Sequence, residues 1–211
     1  MKSVSMYPTS MKVMGVANPL LKKVTKEIHD RLRNASDSVI ISLANALVAE
    51  KILECQMLAW MLLEKTGIVS RLDPGELHNL EGVLDNWVSV DTYGTLILGA
   101  LWRNHKVSDA DIMRLLNSES VWHRRLALVA TVALNLKSRG GMGDTGRTLM
   151  ICNALVEDHH DMVVKALSWA LRSLIRWDKD AVSGFLLKHE MKLHKRVLRE
   201  VSHKLEFGTK N

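Results

Sequence analysis

The chain has 211 residues, 47% of them hydrophobic, with 29 Lys/Arg against 23 Asp/Glu for a net charge of +6. That is the composition of a soluble globular protein with one sizeable core; no apolar run reaches the roughly 18 residues of a membrane span. Met1–Ser10 lacks the charged-then-apolar layout of a secretory signal, and Cys55 and Cys152 have no partner spacing. The expectation is a cytoplasmic protein with two reduced, buried thiols, not a disulfide or a zinc site.

The charge is uneven along the chain. Residues 1–100 hold 10 Lys/Arg and 11 Asp/Glu, a net of −1, while residues 101–211 hold 19 and 12, a net of +7. A basic half on an otherwise neutral protein is the footprint of a polyanion site, or of a solvated basic face.

Taken in order, the elements read as helices nearly throughout. Residues 1–10 are expected to be a flexible terminus ahead of a single domain over 11–211. Asn18-Pro19 reads as a cap with proline at the first helical position, opening a helix to about Asn34. Ser36 is placed to cap the next, whose apolar positions are Val39, Ile40, Leu43, Ala46 and Leu47. Its partner runs from Lys51 to Thr66, with Gly67 as the C-terminal cap. Asp73-Pro74 opens a short helix to about Asp85, and a longer one follows from Asn86 to Asn104. Ser108 with Asp111 forms a capping box that uses Asp in place of the usual Glu. Further short–long pairs fall at 108–117 with 120–137, 144–157 with 160–177, and 179–188 with 191–207. Between them, Arg139-Gly140-Gly141-Met142-Gly143 lacks the lysine and hydroxyl of a phosphate-binding loop and reads as a flexible linker.

The second helices begin near 51, 86, 120, 160 and 191, a period of about 35 to 40 residues that helical repeats of the HEAT or armadillo kind show. No segment carries the alternation and turn chemistry of a sheet. The fold class expected is all-α, a HEAT-like or armadillo-like solenoid, C-shaped with a basic concave groove.

Trp87 and Asp91 are four apart and share one helix face. Arg125 and Trp169 lie on the corresponding helices of the next two repeats, so stacking would carry all four onto the concave surface. Arg125, Lys165 and Arg196 fall early in three successive second helices and would form a basic ladder. Each residue also has a plainer role open to it. Trp60, Trp102 and Trp177 read as packing residues, and Trp122 either packs or reaches the groove. An Asp in the first turns of a helix often only complements its dipole, and Arg125 could simply join repeats.

The ordered combination Trp87-Val88-Ser89-Val90-Asp91, Val121-Trp122-His123-Arg124-Arg125 and Lys165-Ala166-Leu167-Ser168-Trp169-Ala170-Leu171-Arg172 resembles the AlkD-type DNA alkylation repair enzymes, HEAT-like-repeat DNA glycosylases. The resemblance extends more weakly from about Met11 to the C-terminus. It implies excision of cationic alkylated bases, such as 3-methyladenine and 7-methylguanine, from duplex DNA. It makes Asp91 the catalytic carboxylate, Trp87 and Trp169 aromatic walls around the damaged nucleotide's sugar, and Arg125 a contact to the DNA backbone. Lys165, Arg172 and Arg196 flank that groove, and Arg124, Lys195 and Arg199 are further candidates for phosphate contact.

The chemistry suits these residue types. A ring-alkylated base is already a good leaving group, and the transition state carries positive charge on the sugar. A carboxylate and electron-rich indole faces both favour that charge. His159, His160, His189 and His194 offer no third ligand for a metal, and no amine nucleophile stands out, so simple hydrolysis without metal or cofactor is expected. The partner implied is double-stranded DNA, with no membrane and no obligate protein partner evident.

Two departures from the family pattern carry expectations of their own. Family enzymes usually have one or two helices before the segment matching Met11–Gly15, so a weaker grip on DNA is expected. Val88 stands where a second acidic residue is common. The alternative reading is a non-catalytic HEAT-repeat scaffold that binds DNA or a protein partner.

Overall fold

The computed structural model of the protein describes residues 8–209. The helices are α1 (Asn18–Arg31), α2 (Asp37–Ala49), α3 (Leu53–Lys65), α4 (Leu77–Glu81), α5 (Trp87–Tyr93), α6 (Gly99–Arg103), α7 (Asp109–Leu116), α8 (Val121–Asn135), α9 (Thr145–Ala154), α10 (Asp161–Leu174), α11 (Lys179–His189) and α12 (Lys195–Phe207). There is no strand among the described residues; Lys12 and Ile52 make an isolated parallel bridge. The all-helical expectation holds. The chain divides into two compact units, one ending at Ile97 and the other beginning at Leu98.

In the first unit, α3 is the central helix, because it is apolar around most of its circumference. Leu53, Met57, Leu58, Ala59, Trp60, Leu62 and Leu63 are all buried. Helices α1, α2 and α5 pack against it. Trp60 lies 5.3 Å from the Tyr93 ring and donates from Nε1 to the Leu80 carbonyl at 2.7 Å. The buried Gln56 side chain closes the turn after α4, accepting from Val83 N and donating to Val83 O, both at 2.8 Å.

A strap precedes α1. Of the ten residues expected to be flexible, 1–7 lie outside the described residues. Thr9 and Ser10, by contrast, both hydrogen-bond to the Asp85 carboxylate, at 2.5 and 2.6 Å. The buried Glu54 carboxylate accepts from the backbone N–H groups of Met14, Gly15 and Val16. Met11 then joins Leu21, Leu53 and Met57 in an apolar cluster, with Val13, Val16 and Val88 packed on it.

In the second unit α8 is central, buried continuously from Arg125 to Asn135. It packs against α6, α7, α9 and α10, and α10 in turn packs against α9, α11 and α12. The longer helices α8, α10 and α12 therefore pack in series, with the shorter α7, α9 and α11 joined to them.

Side-chain caps fix six of the twelve described helix starts. Ser108 and Asp111 form the expected capping box, and Asn86, Asp144 and Asp178 each accept a backbone N–H of the first turn. Gly67 takes the left-handed conformation after α3. Two expected caps differ. Ser36 sits at the N-cap of α2 but makes no capping bond, its hydroxyl lying 2.8 Å from that of Ser38. Ala17, not Asn18, is the N-cap of α1, so the proline stands one position further in. The buried stripe of α2 is Ile40, Ala44 and Val48, whereas Val39 is half exposed.

The helix expected over 86–104 contains a π-helical turn at Gly94–Leu98 between α5 and α6. The glycine-rich stretch 139–143 is a tightly built turn, not a loose linker. Gly141 N donates to Leu136 O and Gly143 N to Leu134 O, at 3.0 and 3.1 Å. A Cβ on Gly141 would lie 2.6 Å from the Leu134 carbonyl oxygen. Gly143 has φ +87, and a Cβ there would meet the Trp177 ring at 2.7 Å. These glycines are required by close approach, which an isolated Gly-rich string does not reveal.

Candidate functional site

The candidate residues fall into two groups, one in each unit. In the first unit, Trp87 opens α5 and is 38% exposed, and Asp91, one turn further on, is half-buried. Their helix start is fixed from outside. Asn86 is fully buried, caps Ser89 N at 3.0 Å and donates from Nδ2 to Asp85, which also holds the strap. Burial tends to raise the Asp85 pKa, but the Ser10 N–H, the Thr9 hydroxyl and Asn86 outweigh it and hold the carboxyl below its ordinary value. Val88, on the same turn, packs on the Met11–Leu53–Met57 cluster.

In the second unit, α8, α10 and α12 line one cleft of about 340 Å³, walled by Arg125, Lys165, Trp169, Arg172, Arg196 and Glu200. Lys165, Trp169 and Arg172 reach it together because positions i, i+4 and i+7 share a helix face. Trp169 is half-buried, so part of its indole remains accessible. Four cations surround one carboxylate there, and the serial packing of the three helices gathers the basic residues.

The cations are individually constrained. Arg125 is only 5% exposed, and its Nη1 donates to the Met162 carbonyl of α10. Lys165 pairs with Asp161 at 2.6 Å, and Arg196 Nη1 lies 3.5 Å from the same carboxylate. Hydrogen bonding from Lys165, joined by the charges of Lys165 and Arg196, holds the Asp161 pKa down against burial. Arg172 donates from Nε to the Ser168 carbonyl and hydroxyl, both at 3.1 Å. Burial presses its pKa down while Glu200 acts the other way; a guanidinium keeps its proton under such opposing influences.

Glu200 was not among the candidates from sequence. It is buried, accepts from Ser168 Oγ at 2.7 Å and from Arg196 Nε at 2.8 Å, and lies 3.6 Å from Arg172 Nη2. Burial works to raise its pKa, but those three partners prevail and hold the carboxyl below the usual range. The i, i+4 spacing of Arg196 and Glu200 was the available signal.

The weaker candidates lie differently. Arg124 Nε is bound to Asp158 at 2.7 Å, and its Nη1 donates to the carbonyls of Ser118 and Glu119. Lys195 and Arg199 are exposed on α12. Trp60 and Trp102 are fully buried, while Trp177 is half-buried and donates to the Asn135 carbonyl at 2.7 Å. His160 and His194 accept backbone N–H groups at the starts of α10 and α12, so both imidazoles act as N-caps. Among the described residues no three His, Cys, Asp or Glu side chains gather so as to hold a metal ion. No helix there is long and apolar enough to cross a membrane.

The second unit, with net charge +7, thus places four basic side chains beside a half-buried indole. The family model for the DNA alkylation repair enzyme matches residues 1–205, so the chain belongs to the DNA alkylation repair enzyme family, in keeping with the AlkD-type motifs. A search of curated proteins gave no match.

Proposed function

We propose that the protein is a monofunctional glycosylase that hydrolyses the N-glycosidic bond of cationic alkylated purines, 3-methyladenine and 7-methylguanine, in duplex DNA. The observation that carries this reading is the cleft of the second unit, in which Trp169 stands among four cations, in a chain of the DNA alkylation repair family. The serial packing of α8, α10 and α12 supports a HEAT-like array there.

In this reading the bond from C1′ to the alkylated base breaks, and the base leaves with the bonding pair, which neutralises its charge. Positive charge develops on the sugar, and water adds to C1′ and loses its proton to solvent. Asp91 supplies the opposite charge and orients the water. A well-placed indole contributes roughly 0.5–2 kcal/mol toward such a cation; Trp87, one turn before Asp91, offers such a face in the first unit, and Trp169 offers one in the cleft of the second. Lys165, Arg172 and Arg196 hold backbone phosphates, with Arg125 behind them and Lys195 and Arg199 as outlying contacts.

The test is release of 7-methylguanine from methylated duplex DNA by the protein and by Asp91→Asn. Release that disappears in the variant while duplex binding persists is the expected result. Binding with no release by the unmutated protein would instead favour the second reading, a DNA-binding scaffold, which the basic cleft alone is enough to support. Neither binding nor release would overturn both.

A further inference from the structure

We propose that Glu200, acting with Ser168, is a positioning residue that aims the Arg172 and Arg196 guanidinium groups at DNA phosphates. The proposal rests on the reading that this cleft binds duplex DNA.

A carboxylate at that position is a puzzle for a polyanion site. It lies in the wall of a cleft whose other charged residues are all cations, and it repels any phosphate that enters. It is also 6% exposed, and a buried carboxylate is costly unless its oxygens are satisfied. Here both oxygens are used. Oε1 accepts from Arg196 Nε, while Oε2 accepts from the Ser168 hydroxyl and lies 3.6 Å from Arg172 Nη2. Ser168 in turn receives Arg172 Nε on its carbonyl and on its hydroxyl. Glu200 of α12 and Ser168 of α10 thus hold one edge of each guanidinium. A guanidinium is a planar fork with five donors, so fixing its Nε fixes the plane in which the remaining donors lie. Both side chains would otherwise lose several rotatable bonds' worth of entropy on binding a phosphate, and the Glu200–Ser168 pair removes part of that loss beforehand.

Simple electrostatics and positioning predict opposite signs. If Glu200 acts only through its charge, removing it strengthens DNA binding. If it positions the two arginines, removing it weakens binding although a repulsive charge has gone.

The experiment measures affinity for a fluorescent 20-base-pair undamaged duplex between 50 and 200 mM salt, for wild type, Glu200→Ala, Glu200→Gln and Ser168→Ala. Each protein is first checked for helical content and thermal midpoint. Expected is a loss of about tenfold for Glu200→Ala, the lower end of what removal of an orienting partner costs at metal sites. Its salt slope becomes shallower by about 0.9, one phosphate contact. Glu200→Gln, which keeps the volume and an acceptor oxygen, recovers to within about threefold of wild type. Ser168→Ala, a milder change that tests the same pair if Glu200→Ala does not fold, loses affinity in the same direction.

Unchanged or tighter binding by the folded alanine variants, with the wild-type slope, overturns the proposal alone. A wild type that does not bind duplex DNA overturns the reading on which it rests.

Discussion

The sharpest quantitative consequence of the cleft concerns salt. Of its four cations, Arg125 is 5% exposed and the Arg172 side chain 12%, whereas the Lys165 and Arg196 side chains are 37% and 33% exposed. Lys165 and Arg196 are therefore the two best able to meet a phosphate directly. Each phosphate neutralised releases counterions and adds about 0.9 to the slope of log K against log salt. A Lys165→Ala/Arg196→Ala double variant is expected to lose about 1.8 from that slope. Between 50 and 200 mM salt, a fourfold change, the wild type should lose about 12-fold more affinity than the double variant does. The slope is the better readout than a single Kd. Both substitutions also strip partners from Asp161, so part of any affinity loss at a single salt concentration comes from that carboxylate and not from a lost phosphate contact. Fluorescence anisotropy with undamaged duplex at four salt concentrations makes the measurement. Equal slopes, agreeing to about 0.3, would show that phosphates do not contact these two side chains and would refute the placement of DNA along this cleft.

Three further outcomes follow from other parts of the molecule. Asp91→Asn should slow single-turnover release of 7-methylguanine by at least ~100-fold, the scale of losing one preorganised electrostatic group, while duplex affinity changes by less than about threefold. Gly143→Ala forces a side chain into the Trp177 ring at φ +87 and should lower unfolding stability by about 1–3 kcal/mol in urea titrations. The Asp85 pKa is depressed from the ordinary 3.8, so its stabilising effect is present above that value and lost as pH falls through the folded-state value. Asp85→Asn should therefore melt below wild type at pH 7, with the gap beginning to narrow only below pH ~4, as the wild-type carboxyl takes up its proton; a gap already closed at pH ~5, where the carboxyl is still ionised, counts against the strap's dependence on this carboxylate.

What could be read from the chain was whatever physics is local. Helix periodicity, the Ser108–Asp111 box and Gly67 as a stop all depend on residues within one or two turns of each other, and all appear in the structure. The misplacements have a common cause in contacts that spacing does not encode. The π turn at Gly94–Leu98 alters the helical period over only five residues, too few to disturb an apolar pattern. The glycines at 141 and 143 are fixed by α8 backbone and by Trp177, 34 residues downstream of Gly143. Arg124 is held by Asp158 across a similar separation, which no single-helix reading shows. At the candidate site, basic residues of α8, α10 and α12 were legible from repeat spacing. Glu200 was not, because an acidic residue one turn after an arginine ordinarily reads as a surface pair.

Val88 shows how a departure from a family pattern can be a packing decision. The AlkD-type resemblance makes a second acidic residue common at this position. Here the position faces Met11, Leu21, Leu53 and Met57, with Val13 and Val16 of the strap beside it. Val88 is partly buried, so a carboxylate there would lose part of its hydration against an apolar cluster, which disfavours its charged form. The strap and Val88 are therefore parts of one solution: segment 9–16 is held by Asp85 at one end and Glu54 at the other, and it covers an apolar side of α5. Carboxylates on this strap–helix junction serve as structural acceptors for backbone and hydroxyl donors. That leaves Asp91 as the acidic side chain of α5, and in the proposed hydrolysis it is the carboxylate this helix supplies.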